Sequence, residues 1–215
     1  MSPVFGDPGA GSLISADPGC TTFQEEGCAM EEVKEIDALI RQIEQGPLEP
    51  RRAAVRRLAA IGSPAVQPLL AALKSARDND IRWYYASALA RIGPQAIGGI
   101  LAAMREDQDK GFREYASAAL GAMGGPAVEP VLDAMKDADP GLRGYLSLAL
   151  CRIGEPALGP LKERLTDADE VVRQCASLTL WKMGEGGIST MVDTYHISRN
   201  PPPAPEYEDR GENSS

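Results

Sequence analysis

Aspartate and arginine recur along this chain at a spacing that would let them form ion pairs between neighbouring structural units. An aspartate at the start of a helix can accept hydrogen bonds from the first backbone N–H groups, and an arginine one turn later can reach that aspartate or the aspartate of the next unit. We interpret the row as a structural ladder rather than an anion site, because each arginine comes with its own carboxylate. The pairs repeat every 30 or 31 residues: Asp78 and Arg82, Asp109 and Arg113, Asp139 and Arg143, Asp169 and Arg173.

Residues suited to catalysis or metal binding are few. His196 is the one histidine of the chain, which excludes a site that needs several imidazoles. Cys20 and Cys28 do not have a zinc-ligand spacing, and we expect Cys151 and Cys175 to be packed free thiols inside helices. The sequence also contains no glycine-rich phosphate loop, CxxC or HExxH pattern. We therefore predict no catalytic residues, no metal site and no cofactor.

The negative charge of the chain lies mostly near its two ends. The formal net charge is -9 for 215 residues, yet residues 31–199 contain 23 acidic and 21 basic residues. An acidic chain without a Lys/Arg block is not a typical nucleic-acid binder. The sequence also lacks an apolar run of 18 residues and the pattern of a secretory signal. These features predict a cytoplasmic protein that binds neither nucleic acid nor membranes.

Five segments with the same apolar pattern place these residues in an internal repeat. In each segment a leucine lies four residues before a central glycine, and further apolar residues lie four and seven residues after it. Steps of three and four are typical of amphipathic helices. Glycine ends a helix well, and proline suits the first turn of the next helix, so each unit is predicted to be two helices joined by a turn. The central glycines are Gly62, Gly93, Gly124, Gly154 and Gly184.

Residues 31–45 repeat the apolar pattern of a second helix without a first one. A lone helix of this kind is expected to cover the open apolar end of a stack of repeats, as terminal units must. Residues 1–29 are rich in Gly, Pro and Ser, and residues 198–215 are acidic and rich in proline. We predict two disordered tails, 1–29 and 198–215, around a repeat domain at residues 30–197.

The repeat pattern resembles the HEAT-like repeats of the phycobilin (PBS) lyase family. The resemblance is clearest in the segments IRWYYASALARIGPQAIGGILAAM and LRGYLSLALCRIGEPALGPLKERL. It implies an all-α fold, a right-handed α-solenoid of about five HEAT-like helix pairs with an N-terminal capping half-repeat. Such solenoids serve as bilin lyase subunits, phycobilisome-degradation factors, the di-iron deoxyhypusine hydroxylase and prokaryotic binding proteins. This chain lacks the His-Glu pairs of the hydroxylase, so that activity is not transferred.

The resemblance also implies a concave binding groove. Its variable positions in relatives, transferred by register, fall ten, nine, six and two residues before each central glycine. Basic residues outnumber acidic ones at these positions, and three tyrosines share one register. We predict that the tyrosines are exposed binding anchors; the alternative is that they pack on the preceding unit with their hydroxyls in water. The predicted binding residues are Arg52, Arg56, Trp83, Tyr84, Arg91, Tyr115, Tyr145, Leu148, Arg152 and Lys182.

We expect a non-enzymatic module that binds a protein or peptide of acidic character, because aromatic residues and arginine are typical anchors of recognition surfaces. The alternative is a subunit resembling bilin lyases, in which Trp and Tyr would stack on a tetrapyrrole and Arg would hold its propionates. A third hypothesis, a scaffold for electron-transfer or cofactor-maturation proteins, would use Cys20 and Cys28.

Overall fold

The computed structural model describes the backbone of residues 19–199 and the side chains of residues 30–194. Between these limits the chain forms α-helices and no strands, which confirms the predicted all-α fold. The helices are α1 Gly19–Gln45, α2 Leu48–Ile61, α3 Val66–Ser75, α4 Asn79–Ile92, α5 Pro94–Glu106, α6 Lys110–Met123, α7 Val128–Lys136, α8 Pro140–Ile153, α9 Leu158–Arg164, α10 Glu170–Lys182 and α11 Glu185–Arg199.

Helices α2 to α11 form the five predicted pairs, and each pair turns at its central glycine. All five glycines have φ between 72° and 80°. A side chain with a Cβ would be strained at such an angle, whereas glycine adopts it readily. In the first four pairs a proline follows within two residues and lies at the start of the second helix or of the short 3-10 turn before it. The structure therefore confirms the predicted turns, in which glycine ends the first helix and proline begins the next helical segment.

The units stack through one continuous core. First helices pack on one another in the order α2, α4, α6, α8 and α10, and second helices pack along the opposite layer. The leucine four residues before each glycine is fully buried in every unit. Burying a leucine contributes roughly 1.5–3 kcal/mol, and this register supplies that contribution in every unit. These leucines are Leu58, Leu89, Leu120, Leu150 and Leu180.

Helix α1 covers the first unit, as the half-repeat predicts. Its residues Ile36 and Ile43 are buried against α2 and α3. The helix begins at Gly19 and continues through Met30, so the backbone shows no boundary at the start of the predicted repeat domain. Extending a helix that has already nucleated costs little, which explains why the upstream residues join it. Residues 1–18 and 200–215 lie outside the described part, and their predicted disorder stays a prediction.

The aspartates of the ladder begin their helices as predicted. Asp78 Oδ1 accepts a hydrogen bond from Asp80 N at 2.7 Å, and Asp139 Oδ1 accepts one from Leu142 N at 2.9 Å. Asp109 and Asp169 bond in the same way to the N–H groups of Phe112 and Val171.

The arginines of the ladder join neighbouring units in only part of the row. Arg82 lies 3.5 Å from Asp109 of the next unit, and Arg113 lies 2.9 Å from Asp139. Arg143 and Arg173 instead donate to backbone carbonyl oxygens, and neither forms an ion pair within the described part of the chain. The ladder prediction is therefore wrong for these two residues, whose guanidinium groups are satisfied by backbone carbonyl oxygens at the end of α7 and in the loop before α10.

Across residues 19–199, no helix has an apolar stretch long enough to cross a membrane.

Candidate binding groove

Helices α4 and α6, together with Arg152 of α8, enclose a groove of about 580 Å³, called here the central groove. Its floor is built from alanines of α4 and α6, whose short side chains leave space between the two helices. Polar and aromatic groups stand around this floor. The residues that line the central groove are Trp83, Ala86, Ser87, Ala90, Arg91, Glu114, Tyr115, Ala118, Ala119, Ala122 and Arg152.

A smaller groove of about 160 Å³ lies between α2 and α4, next to the central groove. Arg52 and Arg56 of α2 form one wall of it, and Trp83 and Arg91 of α4 form the other. Trp83 and Arg91 therefore line both grooves. A ligand that occupies both grooves would therefore contact the indole ring of Trp83.

The third groove, of about 300 Å³, lies between α8 and α10 and contains the predicted residue Lys182. Leu178 of α10 is exposed beside it. Tyr145 and Leu148 line none of these three grooves: Tyr145 packs partly buried against the core, and Leu148 is 36% exposed. The structure thus brings the predicted residues of the first three units together with Arg152 of the fourth, and leaves Lys182 at a separate groove.

Trp83 is the main exposed aromatic side chain of these grooves. Its side chain is 57% exposed, and its ring contacts Tyr84 edge-on, with the two centroids 5.2 Å apart. Edge-to-face contact is a favourable arrangement of aromatic rings. The indole is therefore supported by its neighbour while most of its apolar surface faces solvent.

The prediction of exposed tyrosine anchors is wrong for Tyr84. Tyr84 is 5% exposed, and its ring lies beneath the guanidinium of Arg51, whose Cζ is 5.6 Å from the ring centroid. One residue further along a helix means a rotation of about 100°, so the ring of Tyr84 packs inward, although the residue still lines the smaller groove. Tyr115 and Tyr145, at the same register, are partly buried against the core. Tyr115 also lines the central groove, so its role as a binding anchor stays a prediction.

The basic excess of the groove is smaller than the sequence predicts. Arg52 pairs with Glu49 at 3.0 Å, and Arg57 pairs with Glu35 of α1, where the guanidinium lowers the pKa of the Glu35 carboxyl. Sequence reasoning missed the Arg57 pair because its partner lies 22 residues away on a packed helix.

Two groove arginines, Arg56 and Arg91, are exposed and form no ion pair with any described residue. Arg152 has polar partners in the groove wall: it donates to Ser117 Oγ at 2.9 Å and to Glu114 O at 3.4 Å. These bonds fix its side chain along the rim of the central groove. The two grooves therefore combine the exposed indole of Trp83 with the hydrogen-bonded guanidinium of Arg152 and two guanidinium groups that have no ion pair among the described residues.

The described residues show no features that favour metal binding or a reactive thiol. Within the described residues, no group of three His, Cys, Asp or Glu side chains could hold a metal ion. Cys175 lines the third groove, and burial raises the pKa of its thiol, as it does for Cys151. A raised pKa leaves these thiols protonated and weakly nucleophilic. The side chains of Cys20, Cys28 and His196 lie outside the described residues.

Comparison with known proteins matches two parts of the chain to repeat families. The family model for HEAT repeats matches residues 97–181. The model for the PBS lyase HEAT-like repeat matches residues 50–75. This chain therefore contains HEAT repeats. No curated protein matches it.

Solved structures similar to this HEAT-repeat protein include a chain from the complex of CpcE and CpcF of phycocyanin lyase from Nostoc. That chain is 25% identical with a TM-score of 0.38, and the match covers 68% of this chain and 98% of that chain. An engineered protein is 20% identical with a TM-score of 0.33, covering 76% of this chain and 86% of that one.

Proposed function

We propose that this HEAT-repeat protein binds an acidic segment of another protein in the central groove and the smaller groove beside it. The proposal makes the chain a recognition module rather than an enzyme. It rests above all on Trp83, whose exposed ring lies where the two grooves meet.

The position of Trp83 explains how such a segment would be held. Exposed tryptophan is rare on a surface without a partner, and buried tryptophan and arginine dominate the binding energy of protein interfaces. A large apolar side chain of the ligand would lie on the alanine floor of the central groove, against the indole. The volume of about 580 Å³ accommodates several side chains.

The unpaired guanidinium groups set the preferred charge of the ligand. Arg56 and Arg91 line the two sides of the smaller groove, and Arg152 lies across the central one. Guanidinium groups bind carboxylates through paired N–H donors, and Glu114 is the acidic residue among those that line these two grooves. A ligand with carboxylates on both sides of an apolar residue fits this pattern.

A random 15-residue peptide library tests the proposal. Immobilised wild-type protein should retain peptides enriched in Asp and Glu around a large apolar residue, and Trp83→Ala should weaken binding of a retained peptide about thirtyfold. Trp181→Ala is the matched control, because Trp181 is similarly exposed but lies outside the grooves. Equal binding by wild type and Trp83→Ala would contradict the proposal.

A second candidate function is binding of a tetrapyrrole, as a subunit resembling a bilin lyase. The match of residues 50–75 to the PBS lyase HEAT-like repeat supports it, since these residues include Arg52 and Arg56 of the smaller groove. In this hypothesis Trp83 would stack on the pigment, and Arg91 and Arg152 would hold its propionates. Co-expression with bilin synthesis tests it: a visible absorption band that is lost in Trp83→Ala would favour the tetrapyrrole over the peptide.

A further inference from the structure

The last helix pair exposes apolar side chains at its outer surface. Trp181 of α10 is 66% exposed, and Ile188 and Val192 of α11 are 38% and 45% exposed. We call these three residues the end face. They lie apart from the grooves, and none of them lines one.

In earlier units the same positions of the second helix are covered by the following unit. Val66 and Leu70, which match Ile188 and Val192 in register, are 5% and 2% exposed. A methyl group placed on Gly99 of the next unit would lie 3.0 Å from Val66 Cγ1 and 3.5 Å from Leu70 Cδ1. The end face is therefore the surface against which another layer would pack.

Trp181 departs from the residue type found at its register in earlier units. The equivalent residues are small, and the neighbouring unit presses on them: a methyl group on Gly121 would lie 2.6 Å from Arg152 Cβ, and Cys151 Sγ lies 3.9 Å from Thr179 O. A tryptophan would not fit beneath a sixth helix pair packed in this way. The last unit is thus built for a thinner covering than a helix pair. The small equivalents are Ala59, Ala90, Gly121 and Cys151.

The chain that follows α11 is placed to supply such a covering. Helix α11 returns along α10 from the turn at Gly184, so it ends beside the start of α10. Going back to the level of Trp181 requires about 17 Å at 1.5 Å per helical residue. An extended polyproline segment rises about 3.1 Å per residue, so about six residues suffice. Residues 200–209 read NPPPAPEYED, and their prolines span this distance.

We propose that residues 200–209 of this chain dock along the end face, with their prolines against the ring of Trp181. Proline-rich segments bind aromatic surfaces in this way, because the extended polyproline form is already ordered and loses little entropy on docking. A single extended strand is also thin enough to cover Trp181, Ile188 and Val192. This contact goes beyond the proposed groove function and involves none of the groove residues.

Tryptophan fluorescence tests the docking directly, because the chain contains two tryptophans and Trp83→Phe leaves Trp181 as the sole reporter. In this background we compare the full chain with a chain that ends at residue 199. Removal of residues 200–215 should shift the emission of Trp181 to the red and increase its quenching by acrylamide about twofold. A chain that ends at residue 209 is the matched control and should behave like the full chain.

A proline variant separates docking from any effect of truncation on folding. Replacing Pro201, Pro202, Pro203 and Pro205 by serine should increase quenching as much as the deletion, with the helical circular dichroism unchanged. Equal quenching in the full and shortened chains would overturn the proposal. Shielding of Trp181 that survives the deletion and rises with protein concentration would overturn it as well, in favour of a second copy of the chain on the end face.

Discussion

The ladder, which we call the edge of the repeats, and the two grooves both contain arginines, yet Arg113 of the edge and Arg91 of the grooves have opposite surroundings. Arg113 on the edge is 4% exposed, and its guanidinium donates to Asp139 and to the carbonyl oxygens of Met104 and Asp107. Arg91 in the groove is exposed and has no ion pair with any described residue. Residue type alone therefore does not separate a structural arginine from one available to a ligand.

The difference lies in what the neighbouring unit offers to each guanidinium. At the edge, Arg113 donates to Asp139 of the next unit and to free carbonyl oxygens at the end of the preceding helix. These bonds offset the cost of burying its positive charge. In the groove, the neighbouring first helix offers alanine. The structure thus satisfies Arg113 internally and leaves Arg56 and Arg91 without an ion pair among the described residues.

The largest difference in stability is expected between variants of the neighbours Trp83, which is exposed in the groove, and Tyr84, which is buried. Tyr84→Ala should lower the free energy of unfolding by about 3–5 kcal/mol, because it removes a buried aromatic ring. Trp83→Ala should lower it by less than about 1 kcal/mol, since the indole is mainly exposed. Urea unfolding of both variants measures the difference, and equal losses would remove the distinction between groove and core at these positions.

Arg113→Ala should lower the free energy of unfolding by about 2–4 kcal/mol, because it leaves the carbonyls of Met104 and Asp107 without their buried donor. Arg91→Ala, the matched change in the groove, should stay within about 0.5 kcal/mol of wild type. Thermal and urea unfolding provide the measurement. A large loss for Arg91→Ala would show that the groove row is structural too.

Charge reversal in the groove should change binding rather than stability. Arg56→Glu together with Arg91→Glu should slow association with an acidic library peptide about tenfold at low salt and weaken the salt dependence of its rate. Arg105→Glu on α5 is the control, because Arg105 is exposed and lines neither groove. Stopped-flow association at two salt concentrations distinguishes the groove row from a general effect of net charge.

The smallest effect concerns pH at the edge. The Arg113 guanidinium and the Leu142 N–H hold the pKa of Asp139 below its usual value. The ionised carboxylate therefore stabilises the fold above the unfolded pKa of about 3.9, and this contribution is lost as the pH falls through the lower folded pKa. Asp139→Asn keeps an N-capping side chain, so its stability deficit should be present at neutral pH and shrink below about pH 4. A deficit independent of pH would contradict the pairing.

Much of the fold can be predicted from the sequence because the same residue pattern occurs in five units. The glycine register predicted the turns, the leucine register predicted the core, and the isolated half-repeat predicted the covering of the first unit by α1. The ladder was readable in part: aspartates act locally as caps, but Arg143 and Arg173 bind carbonyls whose availability depends on how the preceding helix ends.

The groove was harder to read, because exposure depends on helix rotation and on distant partners. Trp83 and Tyr84 are adjacent aromatic residues, and only their orientation makes one available to a ligand and buries the other. The partner of Arg57 lies on α1, which no pattern within one unit could indicate. The alanine floor was present in the sequence, but alanine is equally typical of ordinary helix packing.

By itself, the sequence determined the helices, their pairing and the order of the stack, because apolar periodicity and glycine turns act over a few residues. Tertiary structure decided which side chains of each helix remain exposed, since this follows from the packing of one unit on the next. Trp83 and Trp181 show the reason: Trp83 lies at the meeting of two grooves, and Trp181 lies at the outer face of the last helix pair that the structure describes. Both positions exist only once the units are stacked.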